Sequence, residues 1–335
     1  MSTPPELPAA ELQRIFDEDI RPYYFPDNQP VATRPTIVLV GGQPGSGKSN
    51  ATPRLIKERP GIIPLSGDDL RAFHPHYEQL MEAGPLTAGP TLAQATAVWV
   101  RMAIEHARDT RRSLLLEGTF HTPQVTLDTA AQYRRAGFST ELVALATPRM
   151  DSLLSAAGRY FASHQASRDP RWTTLAAHER GWQGTREILT QITPEGPIDA
   201  VAVINRAGTL YRAEIDDYEP DKATDALDEG RSTPITNRAA AAWLAELRAF
   251  TLYARASHQF NTATAPVLDE LHTIALRDVV PSMNLPQGSE AAARLTERLT
   301  ALQAEITAAQ TPTPTADPQP PTPAPAPTTT GPRLD

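Results

Sequence analysis

Gly42-Gln43-Pro44-Gly45-Ser46-Gly47-Lys48-Ser49 follows the apolar, β-branched run Ile37-Val38-Leu39-Val40 and precedes a helix-length segment near 49–58. The octet matches G-x-x-x-x-G-K-[ST] in full, and a strand before with a helix after is the setting in which such a loop binds phosphate. Glycines let the chain curl so that successive backbone N–H groups point inward, and the helix adds the positive end of its dipole. Gly42, Gln43, Pro44, Gly45, Ser46 and Gly47 then form a cradle, Lys48 reaches the β- and γ-phosphates, and Ser49 offers an oxygen to Mg2+. ATP or GTP with Mg2+ are the cofactors this loop predicts. Pro53, a turn further on, lacks the N–H that would bond back toward Ser49 and is expected to bend the helix.

From Glu11 to about Asn205 short apolar runs alternate with longer amphipathic ones. Strands are expected at Thr36–Val40, Ile62–Leu65, Ser113–Leu116, Thr140–Ala146 and Ala200–Ile204, with helices near 49–58, 69–82, 91–111, 123–136 and 149–166. Parallel strands need connections long enough to cross the sheet, so this alternation predicts an α/β, P-loop kinase-like, doubly wound and mostly parallel sheet. Asn205-Arg206-Ala207-Gly208 stands between two β-like runs, the second being Thr209–Ile215, and predicts a terminal hairpin. Thr236–Gln310 is rich in Ala, Leu, Glu and Arg and reads as a helical extension, with Leu295, Leu299, Leu302 and Ile306 on one stripe. That stripe packs on the chain's own body or serves a partner. Nine of the last 25 residues are Pro, the composition of a disordered, polyproline-rich tail. The expected organisation is an N-terminal helical segment (1–30), a P-loop kinase domain (31–235), the helical extension (236–310) and the tail (311–335).

Composition narrows the function. The 335 residues carry 31 Lys and Arg against 39 Asp and Glu, a net charge of −8, which argues against nucleic acid as the main partner. The absence of Cys excludes disulfides and thiolate chemistry. The first residues lack the charged and apolar regions of a signal peptide, and the apolar runs are too short to span a bilayer, so no membrane association and a cytoplasmic location are expected.

A P-loop fixes a nucleotide but not an acceptor. Ser66-Gly67-Asp68-Asp69-Leu70-Arg71 follows the second expected strand, and an acid at the carboxyl end of a parallel strand faces the ligand crevice. Asp68 or Asp69 there can take the proton of an acceptor hydroxyl, while Asp also caps helices well, so one of the two can do each job. Glu117, in Leu116-Glu117-Gly118-Thr119, stands at the end of the third strand, where it either binds Mg2+ through water, holds substrate hydroxyls, or is solvated. Residues 159–180 hold Arg159, Arg168, Arg171 and Arg180 with His164 and His178, and guanidinium forks suit phosphate.

With these segments together, the stretch from about Val31 to about Tyr211 resembles the zeta toxin family of bacterial toxin–antitoxin systems, P-loop kinases of UDP-N-acetylglucosamine. Gly42–Ser49 is similar to the family's G-Q-P-G-S-G-K-[ST]; Asp68 with Arg71 and His74-Pro75 to its D-x-x-[KR]-x-x-H-P; Glu117-Gly118-Thr119 to its E-G-T. Arg159-Tyr160, and Arg171 with Thr173 and His178, fall on its two arginine motifs, and Asn205-Arg206 with Gly208 on its late hairpin. The resemblance implies a catalytic set of Lys48, Asp68, Arg159 and Arg171 and an acceptor-binding set of Asp68, Arg71, Glu117, Thr119 and His121. At His121 the family commonly has Arg. It also implies a nucleotide-sugar substrate and a small helical antitoxin as partners. Alternative expectations are a kinase of another small molecule or of a polynucleotide 5′ end, or an ATP-binding regulator whose helical region is the output.

Overall fold

The computed structural model describes residues 6–27, 33–166, 168, 170–286 and 289–310, with residues 85–87 described by their backbone alone. The tail expected at 311–335 lies outside the described residues.

A six-stranded sheet forms the centre, built from β1 (Thr36–Gly41), β2 (Ile63–Leu65), β3 (Leu114–Gly118), β4 (Ser139–Leu145), β5 (Ala200–Ile204) and β6 (Thr209–Glu214). The strand order is β2-β3-β1-β4-β5-β6. The first five are parallel, and β6 returns antiparallel to β5. At the hairpin, Asn205 Oδ1 accepts from the backbone N–H of Ala207 (2.8 Å) and Gly208 (3.0 Å), closing the turn with its own side chain.

Period-2 geometry sends alternate residues of β1 to opposite faces. Ile37 and Leu39 join Leu114, Leu142, Val201 and Val203 in one apolar layer. Val38 and Val40 join Leu115, Val143 and Leu145 in the other. Both faces are therefore buried, as a parallel sheet requires.

The helices, in chain order, are α1 (Ala9–Ile15), α2 (Arg21–Tyr24), α3 (Lys48–Glu58), α4 (Tyr77–Ala83), α5 (Pro85–Asp109), α6 (Pro123–Arg135), α7 (Arg149–Gln165), α8 (Leu175–Gln191), α9 (Pro220–Arg231), α10 (Asn237–Ala256), α11 (Ala265–Ile274), α12 (Val280–Ser282) and α13 (Glu290–Ala308). The helix expected over 69–82 is two pieces, a 3-10 turn at Asp69–Phe73 and then α4. Pro75 explains the break, because the residue before a proline is driven out of the helical region, and His74 sits at φ −70°, ψ 124°. The segment expected from 91 starts earlier, at Pro85, whose fixed φ suits a first helical turn. Helices α8 and α9 have no counterpart in the expected alternation. At the amino end of β4, buried Glu141 takes a forked ion pair from Arg59, at 2.8 and 2.6 Å, tying the end of α3 to the sheet.

The extension has its own core. Leu153, Leu154, Tyr160 and Phe161 of α7 pack against Trp243, Leu247 and Phe250 of α10 and Leu268 and Leu271 of α11. Leu299 and Ile306 of α13 are buried in the same cluster and Leu295 packs on it, so these three of the four stripe residues face the chain's own body, while Leu302 is half-buried outside the cluster.

Candidate active site

The parallel strands all deliver their carboxyl ends to one edge, and the loop between β1 and α3 occupies its middle. Gly45 and Gly47 have φ of +78° and +92°, a region L side chains avoid. At Gly45 a Cβ would also lie 1.9 Å from the Ser152 carbonyl oxygen of α7, so glycine is required there twice over.

The loop is stapled to the segment after β4. Gln43, fully buried, donates from Nε2 to the Thr147 carbonyl oxygen (3.0 Å) and to Ser152 Oγ (3.2 Å). Thr147 Oγ1 donates to the Ser46 carbonyl oxygen (2.7 Å). Pro44 is half-buried, and Ser49 is exposed on the first turn of α3.

Lys48 folds back over its loop, donating from Nζ to the carbonyl oxygens of Gly42 (2.8 Å) and Gln43 (3.3 Å). Burial lowers its pKa to about 8; Glu117 opposes the shift, and the positive charges of Arg159 and Arg171 add to it. One ammonium thus feels one carboxylate and two guanidinium groups brought from β3, α7 and the segment before α8. That is the field an anionic phosphate chain would neutralise.

Asp68 stands after β2, half in solvent, and its Oδ1 is in direct ion contact with Arg171 Nη1. It precedes the 3-10 turn but makes no capping hydrogen bond. Asp69, the cap if Asp68 is the base, is instead the first residue of that turn, because the chain enters it one residue earlier. The Asp69 carboxyl is held above its ordinary range by burial, and its charge raises the pKa of Tyr24 further, beyond what burial does, to about 12. Glu117 Oε1 accepts from Thr52 Oγ1 at 2.5 Å, which orients it toward the start of α3. Thr119 Oγ1 shares a hydrogen bond of 2.8 Å with Nδ1 of exposed His121.

The structure therefore brings together Lys48, Asp68, Glu117, Arg159 and Arg171. Arg71 is buried in the wall of a cavity of about 810 Å3 at the β2 edge of the sheet, which it lines together with Asp68, Tyr23, Tyr24 and Phe73. His164 is turned away, hydrogen-bonded to Tyr253 of the extension at 2.7 Å. His178 is fully buried beneath the loop, 2.9 Å from Ser152 Oγ, and burial lowers its pKa to about 4.

Several site-building residues carried no mark in the sequence. Thr52, Thr147 and Ser152 belong to no motif. Gly181 and Gly184 of α8 did carry one, two glycines three apart on a helix face: a Cβ at Gly181 would meet Gln43 Cα at 3.0 Å, and one at Gly184 the Phe120 carbonyl oxygen at 2.0 Å. Those glycines let α8 lie against the loop and the end of β3.

An anion-cradling loop at the carboxyl edge of a doubly wound sheet defines a protein of the P-loop α/β class. The profile of the zeta toxin family matches residues 24–216, more than half of the chain, and the chain belongs to that family. Toxin zeta of Enterococcus hirae is 29% identical over 185 residues, which cover 53% of this chain and 63% of the relative. Toxin PezT of Streptococcus pneumoniae serotype 4 is 31% identical over 128 residues, 38% of this chain and 51% of the relative. The chain thus spans less than two thirds of the length of these relatives. Among solved structures, one from the PezAT chromosomal toxin–antitoxin system of Streptococcus pneumoniae shares the fold, with a TM-score of 0.61 at 19% identity, covering 73% of this chain and 98% of that one. No helix among the described residues is long and apolar enough to cross a membrane.

Proposed function

We propose that the protein is a kinase that transfers the γ-phosphoryl group of ATP or GTP to a sugar hydroxyl of a UDP-amino sugar such as UDP-N-acetylglucosamine, and that it acts as a cytoplasmic toxin by blocking cell-wall synthesis. The observation that carries this reading is the contact between Asp68 and Arg171, because Arg171 also acts on Lys48. A carboxylate tied through Arg171 to the surroundings of the phosphate cradle is what an acceptor hydroxyl needs, whereas a hydrolytic switch needs a residue to orient water.

The residues present fit the nucleotide. Lys48 is a buried cation whose partners here are carbonyl oxygens, so an incoming phosphate chain offers it the counter-charge it lacks. The fit to Mg2+ is of the usual kind for this ion: Ser49 offers a single exposed hydroxyl oxygen, and the phosphates and water supply the remaining ligands. When bound, Mg2+ neutralises charge on the phosphate oxygens and orients them.

The chain's own groups then divide the work. The backbone N–H groups of 42–48, Pro44 having none, and Lys48 hold the β- and γ-phosphates. Arg159 and Arg171 neutralise charge on the transferring group, and Asp68 takes the hydroxyl proton. Glu117, oriented by Thr52, and the Thr119–His121 pair hold acceptor hydroxyls. The cavity beside Asp68, with aromatic walls and Arg71 within it, has the size of a nucleotide-sized ligand site. On this reading residues 31–235 are the catalytic unit and 236–310 its helical extension, and a small helical antitoxin restrains it; the solved PezAT structure likewise comes from a toxin–antitoxin system.

The test is to incubate the protein with ATP or GTP, Mg2+ and a panel of UDP-sugars and to follow masses. A gain of one phosphoryl group on UDP-N-acetylglucosamine that Lys48→Ala abolishes is expected. Phosphorylation of a different acceptor class, or of none, overturns the assignment.

A further inference from the structure

Beneath the phosphate loop runs a line of polar side chains that the proposed chemistry does not use. It begins in the extension, at Glu270 of α11, whose Oε1 lies 2.6 Å from Arg149 Nη1. Arg149, the first residue of α7, also holds Glu179 of α8, Nε to Oε1 at 2.7 Å. Glu179 Oε1 stands 3.6 Å from His178 Nδ1, a ring nitrogen with no hydrogen-bond partner among the described residues. The other ring nitrogen is 2.9 Å from Ser152 Oγ, and that oxygen accepts from Gln43 of the phosphate loop.

Gln43, Ser152 and His178 are buried, so a misplaced member has no water to turn to and the energetic penalty of a broken contact is high. Gln43 is also the residue whose carbonyl oxygen holds Lys48. The line is reinforced by close packing. Gly181 of α8 lies against Gln43, and Gly45 against the Ser152 carbonyl. The loop is wedged between α7 and α8, and Arg149 ties the amino end of α7 to Glu179 in the second turn of α8 while Glu270 of α11 holds the same guanidinium.

We propose that Glu270 is a positioning residue for the phosphate loop, acting through Arg149, Glu179, His178 and Ser152 on Gln43, so that the extension sets nucleotide affinity from outside the site. This inference rests on the reading of 42–49 as a nucleotide site. It gives the extension a task that core packing alone does not. Glu270 touches no group that meets substrate, and its effect is on loop geometry, not on the transferred charge.

The experiment measures ATP binding by calorimetry, in the presence of magnesium chloride, for the full chain and for Glu270→Gln, which keeps the shape and removes the charge. A rise in Kd of roughly fivefold or more is expected, the lower end of typical coupling between distant sites. The melting temperature should stay near that of the unaltered protein, since Glu270 and Arg149 are each more than a quarter exposed. A residue with a merely structural role would lower the melting temperature and leave Kd unmoved, and that result overturns the proposal. Ser152→Ala, a deletion of one oxygen, provides a second variant. Its effect on Kd and that of Glu270→Gln should be non-additive in the double variant, and additive effects overturn the relay. Failure of the unaltered protein to bind either ATP or GTP overturns the nucleotide reading itself, whereas binding with equal Kd in Glu270→Gln overturns the relay alone.

Discussion

Arg171 reaches across the carboxyl edge of the sheet to the Asp68 carboxylate, although 103 residues separate them in the chain. The contact joins the end of β2 to the segment before α8 and sets a negative group beside a positive one at the mouth of the phosphate loop. In the proposed reaction these two groups part company: Asp68 turns to the acceptor hydroxyl and Arg171 to the phosphoryl group. Asp68→Asn should therefore lower turnover by about two to four orders of magnitude, the usual range for loss of a general base, with ATP affinity retained. Arg171→Lys keeps the charge and loses the planar fork, so turnover should fall there as well. Steady-state kinetics with the UDP-sugar acceptor check both. Inactive Asp69→Asn beside near-normal Asp68→Asn would reverse the assignment of the two acids.

Lys48 titrates within an accessible range. Its pKa is about 8 in the folded chain against an ordinary 10.5, so between those values the unfolded chain holds a proton that the folded chain lacks. Stability contributed by this group accordingly rises with pH across that window. In the proposed reading, nucleotide binding restores the charge. At about pH 9, calorimetry in buffers of different ionisation enthalpy should show uptake approaching one proton per ATP, absent in Lys48→Met. Uptake that persists in Lys48→Met would assign the proton to another group.

Glu141 and Arg59 are a test of stability apart from function. Their side chains are 10% and 16% exposed, and the pair sits at the amino end of β4, opposite the phosphate loop. Glu141→Ala takes the buried carboxylate from Arg59, which keeps the Glu58 carboxylate at 3.2 Å, and from Arg212, and should cost about 1–3 kcal/mol in urea unfolding. Turnover below the melting transition should be unchanged.

Removal of residues after Ile235 uncovers Leu153, Leu154, Tyr160 and Phe161 of α7, which α10 and α11 now cover. Each such side chain contributes about 1.5–3 kcal/mol by burial. The truncated chain should be insoluble or melt well below the full one, as measured by scanning fluorimetry. A soluble fragment of raised activity would instead identify the extension as an inhibitor in cis.

The parts of this protein written in adjacent residues were legible without coordinates. The octet 42–49 and the alternation of β-branched and amphipathic runs specify a strand, a turn and a helix through local sterics and periodicity, and the right-handed crossover rule does much of the rest. Asn205 closes its hairpin with its own side chain for the same local reason. Other features depend on where distant segments meet. The division of 69–82 at Pro75 was readable in principle, but whether Asp68 or Asp69 enters the turn first was decided by how the chain leaves β2. Arg159 and Arg171 were singled out by the resemblance, whereas helices α8 and α9 follow from packing against one another, α6 and the β5–β6 hairpin. The line from Glu270 to Gln43 has no sequence signature, since its members come from four separate segments and each is an ordinary residue where it stands. Local rules act over a few bonds, whereas a buried polar contact is fixed by the absence of water around it, and that absence exists only once the chain has folded.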